Sequence, residues 1–218
     1  MRGDRPRLLV ATANPGKLRE LRAILDGVPV GLVGLDGVGL GPPPEVEETG
    51  ASFLDNARLK ARAYAAWSGL AAVADDSGLE VDALGGAPGV RSARYAGEGA
   101  SDQANLDKLL RELARVPLER RHARFRCTAV LTDPPGLVPE WREWHSEAAW
   151  EGRIIEAPRG SGGFGYDPVF LPDGWDRTSA EVDAATKDAA SHRGRAFRAL
   201  RPAIQAWAAE HLGHRSYR

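Results

Sequence analysis

Cysteine is almost missing: Cys127 is the only one in 218 residues. No intrachain disulfide can form, and a reducing cytoplasm is the expected setting. No apolar stretch approaches the length that spans a bilayer. Residues 1–6 have no apolar core behind them, so they read as a flexible tail rather than a signal peptide. Neither sign of charge dominates. The net charge of -1 argues against a general nucleic-acid or membrane-surface binder, while leaving room for a local basic pocket. The Gly-x-x-x-x-Gly-Lys-Ser/Thr spacing of a Walker A loop is absent as well. Lysine is scarce too. Among 29 basic residues, only Lys17, Lys60, Lys108 and Lys187 are lysine. Where Arg serves for nearly every solvated charge, a retained ammonium fits a demand for a compact point charge, as in phosphate binding. Lys108, on an ordinary amphipathic face, does not need that explanation.

What is present describes an ordinary globular chain, with 43% hydrophobic residues and length for one large domain or two small lobes. Residues 7–13 form a short apolar run broken by Asn14-Pro15-Gly16. From Lys17 a helix carries Leu18, Leu21, Ile24 and Leu25 at helical spacing. Strand, tight turn and helix present backbone N–H groups to an anion, with Thr12, Asn14 and Lys17 lining the turn; a generic turn with a capping Asn reads equally well. Ser52 caps a second helix ending near Gly69, on which Asn56 and Lys60 share a face.

That helix leads into Leu70–Gly78, an apolar run that stops on Asp75, Asp76, Ser77 and Gly78. Such a run suits a strand buried in a parallel sheet, and ligands of open α/β sheets sit beyond the strands' carboxyl ends. Paired carboxylates there suit Mg²⁺; a helix cap or Asx-turn is the plainer alternative. Glu45, Glu47 and Glu48 taken alone read as a solvated face. Residues 123–132 alternate as a half-buried strand with Cys127 on its core face, and 144–156 supply another strand. The glycine-rich stretch 159–168 permits close backbone approach to a ligand and offers Phe164 for stacking; a β-bulge with Phe164 in the core is the alternative. Ser191 caps a final helix running to about Gly213, and Pro202 inside it is expected to kink or split it. Helices mixed with parallel and antiparallel strands give an α/β fold around one mixed, twisted central sheet flanked by helices, treated as a single domain over residues 1–218.

The motifs taken together resemble the inosine/xanthosine triphosphate pyrophosphatase family. They are Ala-Thr-Ala-Asn-Pro-Gly-Lys at 11–17, Glu-Glu-Thr-Gly at 47–50, Asn-Ala-Arg-Leu-Lys-Ala at 56–61 and Ala-Asp-Asp-Ser-Gly-Leu at 74–79. Then follow Leu-Gly-Gly-Ala-Pro-Gly-Val at 84–90, Ser-Ala-Arg-Tyr-Ala-Gly at 92–97, Gly-Gly-Phe-Gly-Tyr-Asp-Pro-Val-Phe at 162–170 and Ser-His-Arg-Gly at 191–194. They are collinear over about residues 8–200, and the set is specific where no single member is.

The resemblance implies an elongated, two-lobed subunit of a homodimer that hydrolyses ITP, dITP and XTP to monophosphate and pyrophosphate with Mg²⁺. It places the triphosphate on the turn Thr12, Ala13, Asn14, Pro15, Gly16 and Lys17, with Lys60 adding charge. Asp76 becomes catalytic base and metal ligand, Glu48 (favoured over Glu47) a second ligand, and Ser77 a substrate contact. Phe164, Gly165, Tyr166 and Asp167 line the nucleoside pocket, with Phe164 stacked on the base. Lys187, His192 and Arg193 complete the base and phosphate contacts. The competing readings are a Maf-like pyrophosphatase of different base preference and, outside enzymes, a nucleotide sensor or a structural α/β domain. A sensor has no need to bury the acidic set beside phosphates.

Overall fold

The computed structural model describes residues 5–136 and 141–212. Most of the expected tail, residues 1–4, and the expected helix end at Gly213 lie outside the described residues. Pro6 is already held, its carbonyl accepting a hydrogen bond from the Gly31 N–H at 2.9 Å.

The chain packs as two compact units. The first takes residues up to Asp76 together with Thr128–Ser146 and the chain from Ala196 on; the second takes Ser77–Cys127 and Glu147–Arg195. A six-stranded sheet runs in the order β2-β1-β3-β4-β5-β6. Its strands are β1 (Arg7–Val10), β2 (Gly31–Val33), β3 (Ala71–Val81), β4 (His122–Thr132), β5 (Glu143–Ile154) and β6 (Phe170–Pro172). The helices are α1 (Pro15–Ile24), α2 (Phe53–Ser68), α3 (Asp102–Leu113), α4 (Ala184–Ala190) and α5 (His192–His211). β1 is parallel to both β2 and β3, while β5 and β6 are antiparallel, so the sheet is mixed as expected.

In the first unit β1 lies between β2 and β3, so the two crossovers leave in opposite directions. With both right-handed, α1 and α2 cover opposite faces of the sheet. The core agrees: Leu9, Ala72 and Ala74 pack with Ala57, Ala61 and Ala65 of α2. Alanines four apart give α2 a flat stripe that lets it lie close on the strands. Side chains alternate along a strand. Asp76 therefore continues the Ala72–Ala74 row under α2, and Asp75 faces the α1 side.

The helices start and stop where local chemistry dictates. Asn14 caps α1 by accepting from the Gly16 and Lys17 N–H groups, and Pro15 fills the first turn, where its missing N–H costs nothing. The helix therefore begins at Pro15 rather than Lys17, and β1 ends at Val10 rather than at residue 13. Ser52 caps α2, which stops at Gly69 in the left-handed conformation, φ +66°.

Two further expectations are corrected, and that for Pro202 is narrowed. β3 does not stop at the carboxylates; it runs through Asp75, Asp76, Ser77 and Gly78 to Val81. Their side chains find partners across the sheet faces rather than in a turn of their own. β4 is half-buried only at its start: from Cys127 onward every residue is buried, because α2 covers Val130 on one face. Lys187 lies in a separate helix, α4, capped by Asp183. Ser191 ends α4, and its hydroxyl also accepts from the Gly194 N–H, capping α5. α5 continues unbroken through Pro202, so the proline does not split it.

The second unit has its own core, in which Leu79, Val81, Leu106, Leu109 and Leu113 meet Phe125, Trp150, Tyr166 and Phe170. Phe125 contacts Phe170 edge-on at 4.6 Å between centroids and stacks on His192 at 4.8 Å. Each such aromatic pair adds about 0.5–1.5 kcal/mol beyond area burial. These contacts hold the start of α5 in place.

Candidate active site

In the first unit one ammonium draws two carboxylates together. Lys60 Nζ donates to Glu48 Oε1 at 2.8 Å and to Asp76 Oδ1 at 3.0 Å. The other oxygen of Asp76 accepts from Asn56 Nδ2 at 3.1 Å. Asn56 Oδ1 in turn accepts from the Gly50 N–H at 2.7 Å, which ties the acidic loop to the same group. On the opposite face of β3, Lys17 Nζ donates to Asp75 Oδ2 at 3.0 Å. Asp75 and Asp76 are buried and Asn56 fully so. Glu48 is half-buried, whereas Glu47 is exposed.

The electrostatics follow from this burial. Desolvation raises the Asp76 pKa above the usual carboxylate value, and Glu48 adds to it; Lys60 and Lys17 pull the other way without cancelling it. Burial also works against the charge on Lys60, but Asp76, Glu48 and Asp75 outweigh it, and its pKa is raised. A carboxylate moved toward neutral pH is suited to accept a proton.

At the first turn, Thr12 Oγ1 accepts from the Asn14 N–H, and the Asn14 side-chain oxygen serves the Gly16 and Lys17 amides. The amides offered to an anion by the sequence reading are thus taken up by the cap itself. Ala13, Asn14 and Pro15 are exposed, with Gly16 and Lys17 half-buried at the positive end of α1.

In the second unit the residues gather around Asp167. Its Oδ2 accepts from Lys187 Nζ at 2.6 Å and from the Phe164 N–H at 2.9 Å; its Oδ1 accepts from Ser179 Oγ at 2.8 Å. Gly163 holds φ +71°, and a Cβ there would collide with Asp167 Oδ2, so the loop closes only with glycine. The Phe164 ring is half-buried, with Lys187 Nζ 4.9 Å and the Arg193 guanidinium 5.6 Å from its centroid. A ring beneath two cations is a different environment from the apolar core that was the alternative for it. The Arg193 guanidinium also donates to Ser77 Oγ at 3.3 Å. Gly165 N–H donates to Asp102 Oδ2 at 2.9 Å. Tyr166 is buried in the core, its hydroxyl donating to the Ser92 carbonyl at 2.9 Å, and burial raises its pKa. His192 is buried against Phe125.

The structure therefore brings Glu48, Lys60 and Asp76 together in one unit, and Phe164, Asp167, Lys187 and Arg193 together in the other. Lys17 meets Asp75 rather than Asp76. Gly50, Ser179, Asp102 and Ser92 were not singled out by sequence reasoning. Asn56 had a signal in its four-residue spacing from Lys60, and Gly50 and Ser92 lay in motifs that gave them no role of their own; Ser179 had no signal.

A family model described as "Ham1 family" matches residues 8–203. A Streptomyces coelicolor protein named dITP/XTP pyrophosphatase is 52% identical, covering 91% of this chain and 97% of its own length. A HAM1 protein from Coxiella burnetii superposes with a TM-score of 0.80 at 38% identity, over 92% of this chain and 99% of that one. A nucleoside-triphosphatase, also titled dITP/XTP pyrophosphatase, from Mycobacterium abscessus gives a TM-score of 0.69 at 49% identity, over 89% of this chain and 98% of that one.

Proposed function

The chain belongs to the Ham1 family, and on that premise we propose that it hydrolyses noncanonical purine nucleoside triphosphates. The substrates are of the dITP, ITP and XTP kind, the products the monophosphate and pyrophosphate. The observation that carries the reading is the Lys60 ammonium shared by Glu48 and Asp76, with Lys17 on Asp75 across the strand. Buried carboxylates interleaved with ammonium groups suit a phosphate chain and its counter-cation.

Glu48 and Asp76 fit Mg²⁺ by donor chemistry. Both are hard carboxylates converging on one positive nitrogen, and among the described residues no group of three His, Cys, Asp or Glu gathers to hold a metal. Two carboxylates, with waters and phosphate oxygens filling the rest, is how Mg²⁺ is usually held. When bound it neutralises phosphate charge and polarises the phosphorus–oxygen bonds.

This chain's own residues do the rest. Asp76 takes a proton from a water whose oxygen bonds to the α-phosphorus. The bond from that phosphorus to the α–β bridging oxygen breaks, and its electron pair leaves with pyrophosphate. Lys17 and Lys60 offset the charge of the phosphates, and the turn Thr12–Lys17 meets their far end through the Lys17 ammonium and the positive end of α1 rather than through its capped amides. Phe164 stacks on the base, with Gly165 and Tyr166 shaping its loop. Arg193, supported by Lys187 and His192, offers donors to the base edge. A 6-oxo purine accepts from such a donor, whereas the 6-amino group of adenine would face it with another donor, and that mismatch is strongly rejected. Ser77 contacts the substrate beside Asp76. The reading includes a cytoplasmic homodimer acting on free nucleotides. A net charge of -1 supports the absence of nucleic acid, and no helix among the described residues is long and apolar enough to cross a membrane.

The test is pyrophosphate release from dITP, XTP, GTP and ATP, with Mg²⁺ or with EDTA, beside Asp76→Asn. Mg²⁺-dependent release from dITP and XTP, lowered about 10²–10⁴-fold in the variant as for loss of a general base, is the expected result. Equal rates on all four substrates would refute the base contacts and favour a Maf-like preference. Tight binding without turnover would favour a sensor.

A further inference from the structure

One buried amide links the two acidic segments of the first unit. Asn56 has no exposed surface. Its Oδ1 accepts from the Gly50 N–H at 2.7 Å, and its Nδ2 donates to Asp76 Oδ2 at 3.1 Å. The first bond settles the second: with the carbonyl oxygen turned to an N–H, the NH₂ can only face the carboxylate. Asp76 is thereby gripped at both oxygens from one face of α2, by Asn56 on Oδ2 and by Lys60, one turn further on, at Oδ1. The Gly50 end is equally tight. A Cβ at residue 50 would stand 2.6 Å from both Asn56 Oδ1 and Asp55 Cβ. The loop therefore reaches the amide only as glycine, two residues after Glu48.

We propose that Asn56 is a positioning residue for the reaction: a single amide on α2 fixes the Asp76 carboxylate and the Glu48–Gly50 loop in a common register. Asn56 does not touch the nucleotide. It holds the two carboxylates in the relative orientation in which both serve one cation, and Lys60 marks that point. Partners that orient ligating carboxylates typically change metal affinity or activity 10–100-fold when removed. This inference rests on the activity proposed above, deepening it from the residues that react to the one that aligns them.

The experiment compares wild type with Asn56→Ala and Gly50→Ala in three measurements: steady-state dITP hydrolysis, Mn²⁺ binding to the nucleotide-free protein by electron paramagnetic resonance, and thermal denaturation. Asn56→Ala is expected to lower kcat about 10–100-fold with KM for dITP within about threefold, and to weaken Mn²⁺ binding about tenfold. A merely structural residue would lower Tm and the folded fraction without that combination. Any other pattern in a folded variant overturns the proposal, including unchanged Mn²⁺ affinity or a KM that rises as kcat falls. Should Asn56→Ala not fold, Gly50→Ala, which leaves the Asn56 side chain in place, is judged by the same criteria. If wild type releases no pyrophosphate from dITP or XTP, the proposed activity fails, while the Mn²⁺ measurement still decides the role of Asn56.

Discussion

Asp167→Asn separates a buried ion pair from a merely polar contact. The side chains of Lys187 and Asp167 are 6% and 4% exposed, with 2.6 Å between nitrogen and oxygen, so solvent does little to screen them. The amide is close to the carboxylate in shape. Its oxygen can still accept from Lys187 and the Phe164 N–H, and its NH₂ can face the Ser179 hydroxyl, which can rotate to accept. What is lost is the charge, leaving an ammonium in a dry site. Removing one partner of a buried pair costs about 3–5 kcal/mol. For a chain of this size each kcal/mol lowers Tm by about 2–4 °C, so a fall of about 6–20 °C is expected. Adding Lys187→Met to the same protein removes the stranded charge, and most of that loss should return. Thermal denaturation of the wild type, both single variants and the double variant measures the coupling. KM for dITP is expected to rise in Asp167→Asn, because the same carboxylate sets the Phe164 backbone. An Asp167→Asn protein within about 2 °C of wild type, or a double variant no more stable than it, would refute the reasoning.

Two further predictions concern the other cluster. Burial holds the Asp76 pKa above 3.8 in the metal-free fold, so NMR titration of its carboxyl without Mg²⁺ should show protonation at a pH above the ordinary value; a titration at or below 3.8 would contradict it. The folded state binds that proton more strongly than the unfolded chain. For Asp76 itself, ionisation therefore costs stability as pH rises from 3.8 through the folded value. Lys60→Gln should lower kcat about 10²–10³-fold, as for loss of one oriented charge-stabilising donor. The raised pKa of Lys60 makes its stabilisation complete below 10.5 and lost as pH rises through the folded value. The variant should accordingly show a flatter alkaline stability limb, and a kcat within threefold of wild type would count against its role.

Local chemistry in the sequence determined a good deal of this protein. Asn14-Pro15 and Ser52 start helices, Gly69 stops one, and the alanine and leucine spacings mark the faces that pack. These signals act within a few residues, so they can be read from the chain alone. The ordered motifs likewise assigned the family, and the scarcity of lysine directed attention to Lys17, Lys60 and Lys187, each of which meets a carboxylate.

Only the tertiary structure decided how those groups pair. Asp-Asp-Ser-Gly has the composition of a turn, yet it lies inside an eleven-residue strand, because α1 and α2 bring Lys17 and Lys60 to opposite faces of it. Adjacent carboxylates are thereby parted by the alternation of a strand. The pairing of Glu48 with Lys60, the bridge from Gly50 through Asn56 to Asp76, and the service of Ser179 to Asp167 all join residues of different segments. Their energies depend on burial and on donor geometry within about 3 Å, quantities that exist only once the chain has folded.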